Sequence, residues 1–149
     1  LWDIGAGCGS ISIEWMLASR GSHAFAIEKN LERLALISTN AIALGVPKLE
    51  PIHGTAPDIL KSLASPQAIF IGGGLSQRGM IEQCWERLSP GGRLVVNAVS
   101  LQSEELLVAW REKVGGDMAR INISRAKDVR GHSLWRPLTP VTQWAVIKG

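Results

Sequence analysis

The sequence predicts an α/β protein: a doubly wound, mostly parallel seven-stranded sheet with helices on both faces and the last strand antiparallel. Three observations predict it. Short apolar runs alternate with helical patterns through five units. The first run enters a glycine-rich turn, DIGAGCG at 3–9, and emerges as a helix. The last two strands have no helical pattern between them; parallel neighbours need a crossover, so these two pair antiparallel.

The elements follow in order. Residues 1–4 read as the end of a buried strand, and 10–19 as a helix with Ile11, Trp15 and Leu17 among its apolar positions. Gly21 breaks the chain before a second strand, HAFAIE at 23–28. Asn30 is a good N-cap for a helix running to about Leu44, with Leu31, Leu34, Ala41 and Leu44 at helical spacing and Gly45 where a left-handed residue closes a helix. A short strand over 49–53 precedes Pro57 and Asp58, which suit the first turn of a short helix. The run 68–71 is a fourth strand leading into Gly72-Gly73-Gly74, and 76–88 a helix with Met80, Ile81, Cys84, Trp85 and Leu88 on one face. Ser89-Pro90-Gly91-Gly92 turns the chain into a fifth strand, 93–99, and Ser103 caps a helix carrying Leu106, Leu107 and Trp110. Beyond Gly115-Gly116 the pattern alternates, giving strands at 118–124 and 143–148 joined by a polar loop of unusual length.

At 149 residues the chain is one domain with enough length to bury its own core. It is 46% hydrophobic and 19% charged, as a globular protein should be, with no apolar run of membrane-spanning length and no signal-peptide pattern. Cys8 and Cys84, the only cysteines, form no metal-binding spacing and suit a reducing cytoplasm. No metal site is expected. The net charge of +3 is concentrated late: Arg120, Arg125, Lys127, Arg130 and Arg136 share a stretch with one acid, Asp128. Such a stretch is either a solvated loop or a site for phosphates or carboxylates.

Four features converge on one sheet edge, where ligands of doubly wound folds sit. The first is the glycine turn, where the backbone of Gly5, Ala6, Gly7, Cys8 and Gly9 and the following helix start are available to polar ligand atoms. Its spacing is GxGxG; the dinucleotide fingerprint GxGxxG would need glycine where Ser10 stands. The second is Glu28, followed by Lys29, at the end of the second strand: a carboxylate there can accept both hydroxyls of an adenosine ribose. The third is the turn His53–Pro57, which offers Thr55 or the Ala56 N–H to an adenine edge; the fourth is the open floor of Gly72-Gly73-Gly74.

DIGAGCG at 3–9, AIEKN at 26–30, HGTAPDIL at 53–60 and LSPGGRLVV at 88–96 resemble the class I S-adenosylmethionine (SAM) methyltransferases, a Rossmann-like fold. IGGG, PGGRLVVNAVSLQS and INISRAKDVRGHSLWRPLTPV narrow the resemblance to the decarboxylating precorrin methyltransferases of cobalamin biosynthesis, the C-terminal domain of the precorrin-6Y C(5,15)-methyltransferase family, across the whole chain. The resemblance implies SAM as cofactor and S-adenosylhomocysteine as its product. Gly5, Ala6, Gly7, Cys8 and Gly9 would hold the methionine part, Glu28 the ribose and Ala56 the adenine, with Lys29, Thr55 and Gly72 in the same site. Thr55 stands where many relatives carry Asp, and its hydroxyl can still accept a bond from the adenine amino group. Relatives also have a segment ahead of the first strand that closes over SAM; this sequence starts too late to include it and reads as a fragment of a longer chain.

The implied reaction methylates C-15 of a precorrin-6-type tetrapyrrole and removes the ring C acetate carboxylate. Its substrate carries many carboxylates, which makes Arg78, Asn97, Ser100, Arg125 and Arg130 candidate substrate contacts. No catalytic acid or base is identified; His132, alone in the polar loop, is the one candidate. The resemblance also implies a homo-oligomer, a tetramer, with the last strands and their loop as contact surfaces, and no nucleic-acid or membrane partner. Three alternatives stay open on the residues: a SAM-dependent enzyme acting on RNA or another substrate, a nicotinamide-dependent oxidoreductase, and a non-catalytic scaffold. Ser10 and the absence of tyrosine count against the second.

Overall fold

A computed structural model describes residues 1–19 and 21–149. The sheet is built from β1 (Trp2–Ile4), β2 (Phe25–Glu28), β3 (Glu50–His53), β4 (Ala68–Ile71), β5 (Arg93–Ala98), β6 (Asp117–Ile121) and β9 (Val141–Ile147). Its order is β3-β2-β1-β4-β5-β9-β6. The first five strands pair in parallel, and β9 slots antiparallel between β5 and β6. The expected seven strands, and a last strand that runs against the rest, are both present.

Helices cover both faces. On one side α1 (Ser10–Ala18) and α2 (Leu31–Ala43) pack a small cluster of Ala6, Ile13, Ala26, Ile37, Ala41, Val46 and Leu49. On the other, α3 (Met80–Arg87) and α4 (Leu101–Val114) cover the larger core, which joins Trp2, Ile4, Ile69, Ile71, Leu94, Val96 and Trp144 to Met80, Ile81, Leu107 and Trp110. The centre strands β1 and β4 are buried on both faces, as a parallel sheet between helical layers requires. Trp85, Trp110 and Trp144 stack in a tilted row with centroids 6.1 and 6.4 Å apart, and the Trp144 indole N–H donates to the Gly115 carbonyl.

Several expectations change. In α1 the buried apolar residue is Ile13, whereas Ile11, Trp15 and Leu17 are exposed. In α2 Ile37 and Ala41 face the core while Leu31 and Leu44 point outward. The Asn30 cap is as expected: its side chain accepts from the Arg33 amide at 2.9 Å. Helix α3 starts at Met80 and not at residue 76, because Gly79 precedes it with φ of 77° and residues 75–79 turn. Helix α4 is capped by Ser100, whose Oγ accepts from the Ser103 amide; Ser103 is already inside the helix. The largest change lies in the polar loop, which folds as a two-stranded hairpin, β7 (Ser124–Val129) and β8 (His132–Pro137). Its residues, Val129 partly excepted, are exposed on both strands and cover no core, so periodicity carried no strand signal there.

Candidate functional site

The site begins at the carboxyl end of β1. The Gly5 and Ala6 amides both donate to the Ile27 carbonyl, which fixes the turn against β2. Gly5 has φ of 73°, and a Cβ there would lie 2.8 Å from Gly73 N, so only glycine lets the loops after β1 and β4 meet. Beneath the turn lies Asp3, 1% exposed. Its Oδ2 accepts from both the amide (3.0 Å) and the hydroxyl (2.7 Å) of Ser12, which ties the start of α1 to β1. Burial raises the Asp3 carboxyl above its ordinary value despite these two bonds, and its Oδ1 has no hydrogen-bond partner.

Glu28, 4% exposed, closes the next side. Its Oε2 accepts from the Gly7 amide and its Oε1 from the Asn30 amide, each at 3.0 Å. Two backbone donors therefore fix the carboxylate, and each oxygen keeps a further acceptor site for a ligand hydroxyl. The His53 ring Nε2 lies 3.1 Å from the Lys29 carbonyl and ties the β3 end to the same turn.

These loops enclose a cavity of about 250 Å³ at the carboxyl edge of β1 to β4. Of the ten expected cofactor residues, Gly5, Glu28, Lys29, Thr55, Ala56 and Gly72 line it. Ala6, Gly7, Cys8 and Gly9 do not line it: the Gly7 amide donates to Glu28, Gly9 is the N-cap of α1, and the Cys8 carbonyl accepts from the Asn40 side chain. The sequence reading missed Arg33, Gln77 and Met80 in the lining. Arg33 stands one turn into α2, a helix that starts beside Glu28, and that proximity was the available signal. Gln77 and Met80 had none, because residues 76–79 were read as helix.

A second cavity, about 550 Å³, adjoins the first through Gln77, which lines both. It lies between the 75–79 turn and α4, and Arg78, Glu82, Ser103, Glu105 and Leu106 contribute to its wall. Of the expected substrate residues, only Arg78 is there. Asn97 is half-buried on β5 and accepts from the Gln143 side chain at 3.0 Å; Ser100 is engaged as the α4 cap. Arg125 and Arg130 belong to the hairpin, Arg125 on β7 and Arg130 at its turn with φ of 51°. His132 is exposed at the start of β8 and touches neither cavity. Among the described residues no cluster of three or more potential metal ligands occurs, and no helix is long and apolar enough to cross a membrane.

The donor set suits an adenosine-bearing ligand. A fixed carboxylate faces the cavity, glycine backbone crowds its base where a Cβ would intrude, and Thr55 and Ala56 close the far side. The chain is 49% identical over 149 residues to the precorrin-6Y C(5,15)-methyltransferase [decarboxylating] of a Sinorhizobium species, covering all of this chain and 36% of the relative. It therefore spans about a third of that protein's length. Among solved structures, the C-terminal domain of precorrin-6Y C5,15-methyltransferase from Rhodobacter capsulatus superposes with a TM-score of 0.89 at 40% identity, over 99% of this chain and 79% of that one. Precorrin-6y C5,15-methyltransferase from Geobacter metallireducens gives a TM-score of 0.85 at 29% identity, over 99% and 79%. The architecture is that of class I SAM methyltransferases. Residues 1–148 match the family described as the precorrin methyltransferase domain, and the chain belongs to that family.

Proposed function

We propose that the chain transfers the methyl group of SAM to C-15 of a precorrin-6-type tetrapyrrole and promotes loss of the ring C acetate carboxylate, as one domain of a longer enzyme of cobalamin biosynthesis. The observation that carries the reading is the convergence of Gly5, Glu28, Thr55, Ala56 and Gly72 on one cavity whose neighbour, across Gln77, is open to a second reactant.

Bound SAM supplies an activated sulfonium methyl. The chain's own residues hold and orient. The turn Gly5–Gly9 offers backbone polar groups to the methionine part, Glu28 accepts from the ribose hydroxyls, and Thr55 with the Ala56 backbone meets the adenine. Gln77 stands where the two cavities join, with Gly72–Gly74 along the wall of the first, so Gln77 governs the approach of the acceptor carbon. Holding that carbon near the methyl, about 3–3.5 Å away and in line, is the main catalytic contribution asked of such a site. Arg78 in the second cavity is suited to a substrate carboxylate, with Asn97, Ser100, Arg125 and Arg130 further out along the same sheet edge. Loss of carbon dioxide leaves its electron pair in the conjugated macrocycle, which serves as the sink. We further propose a homotetramer that uses the hairpin, where Trp135 is 74% exposed.

Titration calorimetry with S-adenosylhomocysteine and with NAD tests the cofactor class. Binding of the first and not of the second is expected; NAD binding alone would overturn the reading. Mass spectrometry of a precorrin-6-type substrate incubated with SAM then tests the reaction: gain of one methyl with loss of carbon dioxide is expected, and an unchanged substrate mass would sink the assignment.

A further inference from the structure

The pairing register of the hairpin sorts its side chains into two faces. Arg125 lies directly opposite Arg136, Lys127 opposite Leu134, and Val129 opposite His132. Directly paired residues point to the same side of a sheet, so Arg125, Lys127 and Arg136 share one face, with Leu134, Val129 and His132. The other face carries Ala126, Trp135, Pro137 and the Asp128–Ser133 pair, where the Ser133 hydroxyl donates to Asp128 at 2.6 Å. The acid in this stretch therefore lies on the face opposite the three cations.

Like charges directly opposite one another destabilise a strand pair, and an isolated two-stranded ribbon is marginal to begin with. Here two arginines face each other, with a lysine two residues along. Among the described residues the side-chain ion pairs are His23–Glu50 and Arg120–Glu104, so no carboxylate of the chain bridges Arg125, Lys127 or Arg136. A cavity of about 520 Å³ is lined by the same three residues, with Val129, Leu138 and, from the other face of the ribbon, Ala126 as its apolar part. Such an arrangement is stabilised by an anion with more than one negative group and some apolar body.

Topology places the ribbon at the ligand edge. Strand β6 runs parallel to β5 and ends at Ile121, and β9 runs the other way from Val141, so the hairpin between them leaves the sheet at its carboxyl edge. The first cavity lies at that edge over β1 to β4, the second beside the start of α4, and the hairpin beyond β5. The hairpin, which carries the cationic face, extends the row on the side away from the cofactor cavity.

We propose that Arg125, Lys127 and Arg136 form a carboxylate-binding face that grips the peripheral carboxylates of the tetrapyrrole, with Val129 and Leu138 against its apolar edge. The proposal rests on the tetrapyrrole reading above. It makes Arg136 and Lys127 partners of Arg125, through strand register and not through closeness in sequence.

The probe is uroporphyrin, an octacarboxylate tetrapyrrole, titrated by fluorescence into the wild-type chain, the Arg125→Gln/Arg136→Gln double variant and a Lys48→Gln control. The double variant is expected to bind about tenfold or more weakly, since two charge-assisted contacts are lost, and the control to bind as wild type. Wild-type affinity should fall with added salt. The thermal midpoint of the double variant should equal or exceed that of wild type, because a like-charge pair has been removed. S-adenosylhomocysteine calorimetry on the same proteins reads the cofactor site separately: its failure in wild type would sink the methyltransferase reading and leave the uroporphyrin result standing. Wild-type-like uroporphyrin binding by the double variant would overturn the proposal. So would an equal loss in Lys48→Gln, or a duplex RNA of matched charge that binds more tightly than uroporphyrin and is weakened by the same two substitutions.

Discussion

Gly5 and Gly73 meet backbone to backbone: a Cβ on Gly5 would stand 2.8 Å from the Gly73 nitrogen and 2.9 Å from its Cα. The contact joins the loop after β1 to the loop after β4, the two walls of the first cavity. Neither side can retreat easily. The Gly5 amide is bonded to the Ile27 carbonyl, and the Gly72 amide to the Ile4 carbonyl, so both loops are pinned to β-strands within a residue of the contact.

Gly5→Ala should therefore cost about 2–4 kcal/mol, the sum of a left-handed backbone on a non-glycine residue and overpacking against main chain. Gly7 is the informative contrast. It also has positive φ, at 60°, but a Cβ there would meet nothing within 4 Å. Gly7→Ala should cost only about 1–2 kcal/mol. Urea unfolding of the two variants checks the order; an equal loss would mean the contact between loops contributes nothing.

Ser12 makes two bonds to one oxygen of a buried carboxylate. Ser12→Ala keeps the amide donor and removes the hydroxyl, leaving Asp3 less satisfied in a site that already raises its pKa by desolvation. A loss of about 1–3 kcal/mol is expected by chemical denaturation. Asp3→Asn should restore part of it in the double variant, because the charge that the hydroxyl compensates is gone. Strict additivity of the two substitutions would show that they do not act through one another.

The residues that made the sequence legible are those whose local chemistry and global place agree. DIGAGCG announced a strand, a tight turn and a helix start at once, and all three are present. Asn30 announced a cap and makes one. Glu28 was located by chain position alone, and the structure supplies the reason for its fixed orientation in the Gly7 and Asn30 amides. What stayed hidden depended on register or on side chains with no period. Ile11 and Ile13 are equally apolar, and only the face that α1 turns toward Ala26, Ile37 and Ala41 decides that Ile13 is buried. The hairpin has no buried face, so nothing in its composition distinguished strand from loop; its two faces exist only once Arg125 is paired with Arg136. Gln77 joins two cavities because Gly79 delays the start of α3, a backbone event that helical spacing did not reveal.

Glu104 links α4 to the far strands: it accepts from the Thr142 hydroxyl at 2.8 Å and from Arg120 at 2.7 Å. The Thr142 bond first, and the Arg120 bond after it, hold its carboxyl below the ordinary glutamate value. A depressed folded-state value means that this group's stabilisation is fully present above the ordinary range, about pH 4.3, and is lost as pH falls through the lower folded value. Thr142→Val should lower stability at pH 7, and the gap from wild type should narrow as pH drops below 4 or so. Denaturation curves at several pH values check this; a gap that widens on acidification would reverse the sign and refute the link.

Glu28 gives the sharpest test of how the first cavity works. Glutamine in its place offers one carbonyl oxygen where the carboxylate offers two, so either the Gly7 or the Asn30 amide faces an NH2 group and the ribose loses an acceptor. Glu28→Gln should weaken S-adenosylhomocysteine binding by about tenfold or more. A general collapse of the site would do the same, so the decisive comparison uses the 2′,3′-dideoxy analogue of the ligand. Wild type should bind that analogue far more weakly than S-adenosylhomocysteine, and Glu28→Gln should bind the two alike, because the contact that tells them apart is gone. Calorimetry of both ligands on both proteins measures the coupling. If Glu28→Gln still discriminated between them as strongly as wild type, the ribose hydroxyls would be held by another group, and Glu28 would serve only to brace the turn between Gly7 and Asn30.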